Sequence, residues 1–331
     1  MTEMSDLRFE LPLPDLAPWR AGNTGVEGVW RFDSGRPGRR VMISALVHGN
    51  EICGAWAVAG LLEALTQGRL APHSGSLCLV LANLEAFDRF DARDHDASRF
   101  VDEDLNRQWQ DVRMDEGGTR ERRRAAALRP FVREADWLLD LHSMHEPSAP
   151  LLLTGLQPRN RELARRMGAP AHIVVDAGHK DGTRLRDYGR FSLPDAQAGD
   201  SRSLLVECGF HGDPASRDVA RDQCLRFLEA AAIFGAAELA TALPGWKQAD
   251  AAEQWALEVT EPVVAKSSGF RFAAPYTGLE CFAKAGSVIG DNDGQPVTTP
   301  YDDCVLVMPS VRQARAGVTV VRFAKRHALR P

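Results

Sequence analysis

The feature that most constrains this chain is a strand-like run that breaks off at an ionisable turn. Val41-Met42-Ile43-Ser44-Ala45-Leu46-Val47 is apolar and β-prone, and it stops at His48-Gly49-Asn50-Glu51. A helical pattern starts at once, with Ile52, Ala55, Trp56, Ala59, Leu62 and Leu65 spaced three and four apart. A strand followed directly by a helix is the unit of an α/β fold, and open α/β sheets gather ligands where their strands end. Gly49 is expected to let the backbone turn sharply. The three-residue spacing places His48 and Glu51 on one side of the first helical turn, where an imidazole and a carboxylate can share a zinc ion. Taken alone, His-x-x-Glu is more often a surface turn whose Glu complements the helix dipole. The downstream runs decide between these readings.

Two further apolar runs end the same way. Trp137-Leu138-Leu139-Asp140-Leu141 runs into His142, and Ser203-Leu204-Leu205-Val206 runs into Glu207. A single His or Glu at a strand end is ordinarily structural or solvated. Three such groups on one carboxyl edge suit a hydrolytic zinc site, which takes two His, one carboxylate and an open position. A further Glu that is not a ligand can then handle the proton of the attacking water.

The remaining segments fill in the architecture. Residues up to about 40 form a Pro- and Gly-rich lead-in, with Val29-Trp30-Arg31-Phe32 as an edge strand. Residues 76–82 form an apolar run of the kind buried on both faces of a sheet. The charged, aperiodic stretch 88–111 predicts a long loop, and long ordered loops are often functional. Helices are predicted over 115–135, 159–167 and 219–239, with short strands at 151–154 and 173–175. Residues 179–197 form a polar excursion. The basic run 120–124 reads as a solvated helix face. From about 244 onward, short β-like runs punctuated by Gly, Pro and Asp signal a small all-β module, with 286–321 resembling half of a barrel-sandwich β-sandwich. The predicted fold is therefore a three-layer α/β/α domain with a mixed, largely parallel sheet over 1–243, followed by a small β domain over 244–331.

Composition narrows the function. A net charge of −5 disfavours nucleic acid as a partner, and no apolar run is long enough to span a bilayer. The first residues lack the charged-then-apolar pattern of a leader. The six cysteines are scattered without a Cys-x-x-Cys, as in a reduced cytoplasmic protein. Nothing fixes the oligomeric state, a homo-oligomer included.

His48-Gly-Asn-Glu51, Asp104-Leu-Asn-Arg107, Asp140-Leu-His142 and Glu207-Cys-Gly occur in that order. Together they resemble the succinylglutamate desuccinylase and aspartoacylase family, a branch of the zinc carboxypeptidase-like hydrolases with an added C-terminal β domain. The similarity spans about 40 to 325. The resemblance implies one zinc ion per chain held by His48, Glu51 and His142, with Glu207 as general base. It implies Arg99 as the group that polarises the acyl carbonyl, and Asn106 and Arg107 as the grip on the substrate carboxylate. An Arg fork suits a carboxylate, and a fixed cation suits a developing oxyanion. Asp140 is placed to buttress a ligand histidine.

Other positions fit the family pattern less well. Tyr301 stands in the context of a family tyrosine that reaches the site, and serves equally as a loop anchor. A second arginine before the catalytic Glu has Arg190 and Arg202 as candidates, and neither matches clearly. His145, His211 and Cys208 read as site-lining. The implied reaction is zinc-dependent hydrolysis of a small N-acyl amino acid. The alternatives are a metallocarboxypeptidase acting on short peptides and a non-catalytic binding protein on the same fold.

Overall fold

The computed structural model describes residues 8–312 and 314–329. The first residues, where a leader was sought, lie outside them. The apolar runs form the centre of an 11-stranded mixed sheet. β2 (Arg40–Ala45) pairs in parallel with β3 (Ser76–Leu81) on one side and β4 (Trp137–Met144) on the other. β4 pairs in parallel with β7 (Arg202–Phe210). β1 (Val29–Asp33) closes the outer side of β3 in antiparallel fashion.

Period-two alternation divides these strands between two cores. Val41, Ile43, Ala45, Leu139, Leu141, Leu204 and Val206 pack on one face, beneath α1 (Ile52–Thr66) and α7 (Pro214–Ala231). Met42, Val80 and Leu138 pack on the other, beneath α3 (Asp111–Glu116) and α4 (Arg120–Glu134). α1 is apolar nearly all round because it lies between the sheet and α7. Its approach is close: a Cβ at Gly54 would stand 2.7 Å from the Leu141 Cβ.

Two predicted helices differ from expectation. The pattern over 115–135 is broken by Gly117 and Gly118, both at positive φ, so α3 and α4 are separate. The pattern over 219–239 starts earlier, at Pro214 behind the capping Asp213, and stops where Ala232 turns left-handed. α8 (Ala236–Ala242) then forms on its own.

The C-terminal strands do not stand apart from the central sheet. Beyond β7 the sheet runs through β5 (Leu151–Leu153), β6 (His172–Val175), β8 (Trp255–Val264), β14 (Thr319–Ala328), β13 (Cys304–Val307) and β10 (Cys281–Phe282). β6 and β8 are parallel, with Ile173 against Ala256. A separate three-stranded sheet is made by β9 (Arg271–Phe272), β11 (Val288–Asp291) and β12 (Pro296–Thr298). The C-terminal segment has its own core around Phe270, Ile289, Leu306 and Phe323. A second cluster, including Leu153, Leu205, Leu257 and Val307, bridges it to the N-terminal half. All six cysteines are free thiols. No helix among the described residues is long and apolar enough to cross a membrane.

Candidate active site

Register brings the ionisable strand ends together. His142 is the direct cross-strand partner of Glu207. His48 follows β2, the neighbour of β4 on its other side. Leu46 adopts a left-handed φ of 58° where β2 ends, a costly conformation for a residue with a Cβ. Gly49 lies in the expected turn, closed by the Glu51 amide on the His48 carbonyl at 3.1 Å; its φ is not positive, and a Cβ there would stand 2.4 Å from both the Ala86 carbonyl carbon and the Ser98 carbonyl oxygen. The turn is clamped between two loops.

Glu51 sits at the N-cap of α1 and makes no side-chain cap bond. Its carboxylate reaches His48 Nδ1 at 2.7 Å and His142 Nδ1 at 2.7 Å, and accepts from the Ser143 amide at 3.2 Å. The far nitrogen of each ring is also held. His48 Nε2 lies 2.9 Å from Asp104, and His142 Nε2 lies 2.9 Å from Asp140. With each Nε2 held by a carboxylate, both Nδ1 atoms face Glu51, so that loss of their protons would turn two lone pairs toward one point.

The residues fit a zinc ion. One ligand atom from each of His48, Glu51 and His142 lies within 4.8 Å of the others. Donors that meet a tetrahedral zinc at about 2.1 Å sit about 3.4 Å apart, so small side-chain shifts suffice. The electrostatics agree. Burial pushes the Glu51 carboxyl up, but the two imidazoles hold it well below its ordinary range. Burial opposes charge on His142, yet Asp140 and Glu51 raise it well above an ordinary imidazole.

Glu207 is buried, and its Oε2 has no hydrogen-bond partner. Burial, then repulsion from Glu51, pushes its carboxyl up to about 8. Arg99 donates to Glu51 at 3.2 Å and to Asp104 at 3.3 Å, beside His145 at 3.3 Å. His145 also meets Asp96, and buried His211 bonds Ser143. Neither belongs to the ligand cluster.

The loop that carries Arg99, Asp104 and Arg107 is held by Glu121, a buried carboxylate in the first turn of α4. It accepts from the backbone amides of Val101, Asp102 and Glu103 at 2.7, 3.0 and 3.2 Å, and from Asn83 at 3.1 Å. Asn106 fixes the segment opposite by accepting from the Leu185 amide at 2.9 Å. Arg107 lies against His179 and Asp181, each at 3.3 Å.

Three expected contributors lie elsewhere. Tyr301 bonds Thr260 at 2.7 Å and lies beneath Lys325, with no contact to the cluster among the described residues. Arg190 and Arg202 bond Asp136 and Asp200, near the amino end of the central strands. A cavity of about 490 Å³ opens beside the start of α7 and is lined by none of the three candidate ligands. Period and spacing could not reveal Glu121 or the role of Asp104. The Asp-Leu-Asn-Arg motif was the only signal for the latter.

Comparison with known proteins agrees with this geometry. Residues 37–193 match the succinylglutamate desuccinylase/aspartoacylase catalytic domain. That match covers just under half of the chain. It is 28% identical to succinylglutamate desuccinylase of Paraburkholderia xenovorans (strain LB400), with 86% of this chain and 81% of that one covered. Its fold is similar to that of succinylglutamate desuccinylase from Vibrio parahaemolyticus, with a TM-score of 0.66, 18% identity, and 91% and 86% of the two chains covered. It is similar as well to murine aminoacylase 3, with a TM-score of 0.58, 19% identity, and 89% and 98% covered.

Proposed function

We propose that this chain belongs to that family and is a zinc-dependent hydrolase that cleaves the amide of a small N-acyl amino acid. The observation that carries the reading is the convergence of two outward-anchored imidazoles and Glu51 beside a buried Glu207 whose Oε2 is unpartnered. His48, Glu51 and His142 would hold one ion per chain. Bound there, zinc supplies a Lewis acid and lowers the pKa of water to about 7.

The chain's own groups supply the rest. Glu207 takes the proton of the attacking water on its free Oε2 and returns it to the leaving nitrogen. A carboxyl raised toward working pH serves both transfers. Arg99, already anchored by Asp104, presents its cation to the acyl oxygen as charge develops. Arg107 grips the carboxylate of the amino acid half with its fork, beside Asn106, whose amide oxygen is committed to Leu185. The names of the family relatives, which include desuccinylases and an aminoacylase, support the substrate class.

The test is metal analysis together with hydrolysis of a panel of N-acetyl, N-succinyl and N-formyl amino acids. About one zinc per chain and turnover of panel members are expected. Stoichiometric zinc in a His48→Ala, His142→Ala double variant, or no turnover across the panel by zinc-loaded protein, would overturn the reading.

A further inference from the structure

His145 follows directly on β4, in the run His142-Ser143-Met144-His145. Alternation sends Ser143 and His145 to the side away from His142, and both meet buried His211, at 2.7 and 3.4 Å. Each ring nitrogen of His145 has a partner whose role is fixed. Nδ1 lies 2.8 Å from Asp96 Oδ1, and an ionised carboxylate only accepts. Asp96 is ionised, because His145 and His95 hold its carboxyl far below the usual range despite its burial. Nε2 lies 3.3 Å from Arg99 Nη1, and a guanidinium only donates. One arrangement satisfies both neighbours: a neutral ring with hydrogen on Nδ1 and the Nε2 lone pair turned to Arg99. Burial, aided by the Arg99 cation and opposed by Asp96, holds the imidazole below its ordinary range, which agrees with a neutral ring.

The hydrogens of Arg99 can then be assigned. One on Nη1 goes to Glu51 at 3.2 Å and the other to His145, and one on Nη2 goes to Asp104 at 3.3 Å. A guanidinium has five N–H donors. Among the described residues, the second Nη2 hydrogen and Nε–H are left for a substrate oxygen. With His145 removed, Nη1 could turn wholly onto Glu51, a charge-assisted pairing that competes for the carboxylate of the candidate metal site. The support extends into the C-terminal segment. Arg312, in the loop between β13 and β14, donates to Glu146 at 2.8 Å and lies 3.6 Å from Asp96. The acid behind the ring and the acid next to it in sequence therefore share one cation.

We propose that His145 is a positioning residue for Arg99: as a neutral acceptor backed by Asp96, it turns the guanidinium so that the uncommitted N–H groups face the acyl oxygen. The proposal rests on the deacylase reading above and deepens it. His145 acts through Arg99 and not on the reacting atoms.

The experiment measures kcat and KM of the zinc-loaded full chain on the best substrate of the N-acyl amino acid panel. The proteins are the parent, His145→Leu, His145→Gln, Arg99→Met and the Arg99→Met, His145→Leu double variant. A misplaced guanidinium fails the charge that develops in the transition state. His145→Leu is therefore expected to lower kcat by about ten- to a hundredfold, with KM within about threefold of the parent. His145→Gln, whose amide oxygen can accept from Arg99, should recover most of that loss. In the Arg99→Met background, His145→Leu should cost less than about twofold, because its effect passes through the missing side chain. Equal losses in the two backgrounds or a change in KM alone would overturn the proposal, as would a Gln variant that melts like the parent and recovers nothing. Nitrogen NMR of the histidine rings in the same zinc-loaded chain, assigned through His145→Gln, reads the tautomer without turnover. A neutral ring with hydrogen on Nδ1 is expected for His145 at neutral pH, and an Nε2–H ring or an imidazolium would overturn the proposal. The expected tautomer in a parent that hydrolyses nothing on the panel would sink the deacylase reading and leave the tie between His145 and Arg99 standing.

Discussion

Replacing Glu121 by Gln changes one atom of a nearly isosteric side chain, remote from any reacting group. Whichever way the amide is turned, its NH2 must face donors. It meets either the amides of Asp102 and Glu103, or the Val101 amide with the Asn83 side chain. Two acceptances are lost, and donors are left facing a donor. At about 1–3 kcal/mol for each buried group left unsatisfied, the penalty is about 4 kcal/mol. It falls on the loop bearing Arg99, Asp104 and Arg107, which opens locally before the sheet does. At about 1.4 kcal/mol per tenfold, exchange of the amides at 101–103 should accelerate by about 10³. Hydrogen-exchange mass spectrometry of a peptide covering 99–107 reads this directly, with the β4 peptide as an unchanged reference. Activity should fall with it, because Arg99 and Arg107 lose their shared frame. If protection at 101–103 stays within about tenfold of the parent, the loop is not held by this carboxylate and the arithmetic built on it is wrong.

Two further outcomes follow from the site. Glu207→Gln should retain zinc and melting temperature while losing about two to four orders of magnitude in turnover, since the amide packs alike but carries no proton. Turnover within about tenfold of the parent would move the base to another group. Zinc uptake should release protons. Without metal, His142 is raised well above an ordinary imidazole and Glu207 is raised to about 8, so both hold protons at pH 7. The ion competes with the proton on His142 Nδ1, so apparent affinity should strengthen as pH rises from about 6 to 8. Calorimetry in buffers of different ionisation enthalpy checks this, and heats independent of buffer would contradict it.

The sequence made the strand ends readable because buried parallel strands are written as unbroken apolar runs. Where such a run stops at His48, His142 or Glu207, the exception stands out. Glu51 could be read either as a helix-dipole partner or as a ligand, and its geometry favours the ligand role. What could not be read were contacts made across long separations. Glu121 looks like any surface residue of a basic helix, yet it is buried. Tyr301 was open to two readings from its sequence context, a site residue or a loop anchor, and it bonds Thr260. Gly49 does lie in the expected turn, and it also makes room for two loops, which no local pattern could show.

The parallel seam between β6 and β8 has a consequence for how the chain is made. β6 is synthesised about 80 residues before the strand that covers its outer edge, an interval of about 4–16 s at ordinary rates of translation. β14 then has to slot between β8 and β13, both of which precede it. During that interval the catalytic half presents a row of unpaired amides, open to chaperones or to another nascent copy.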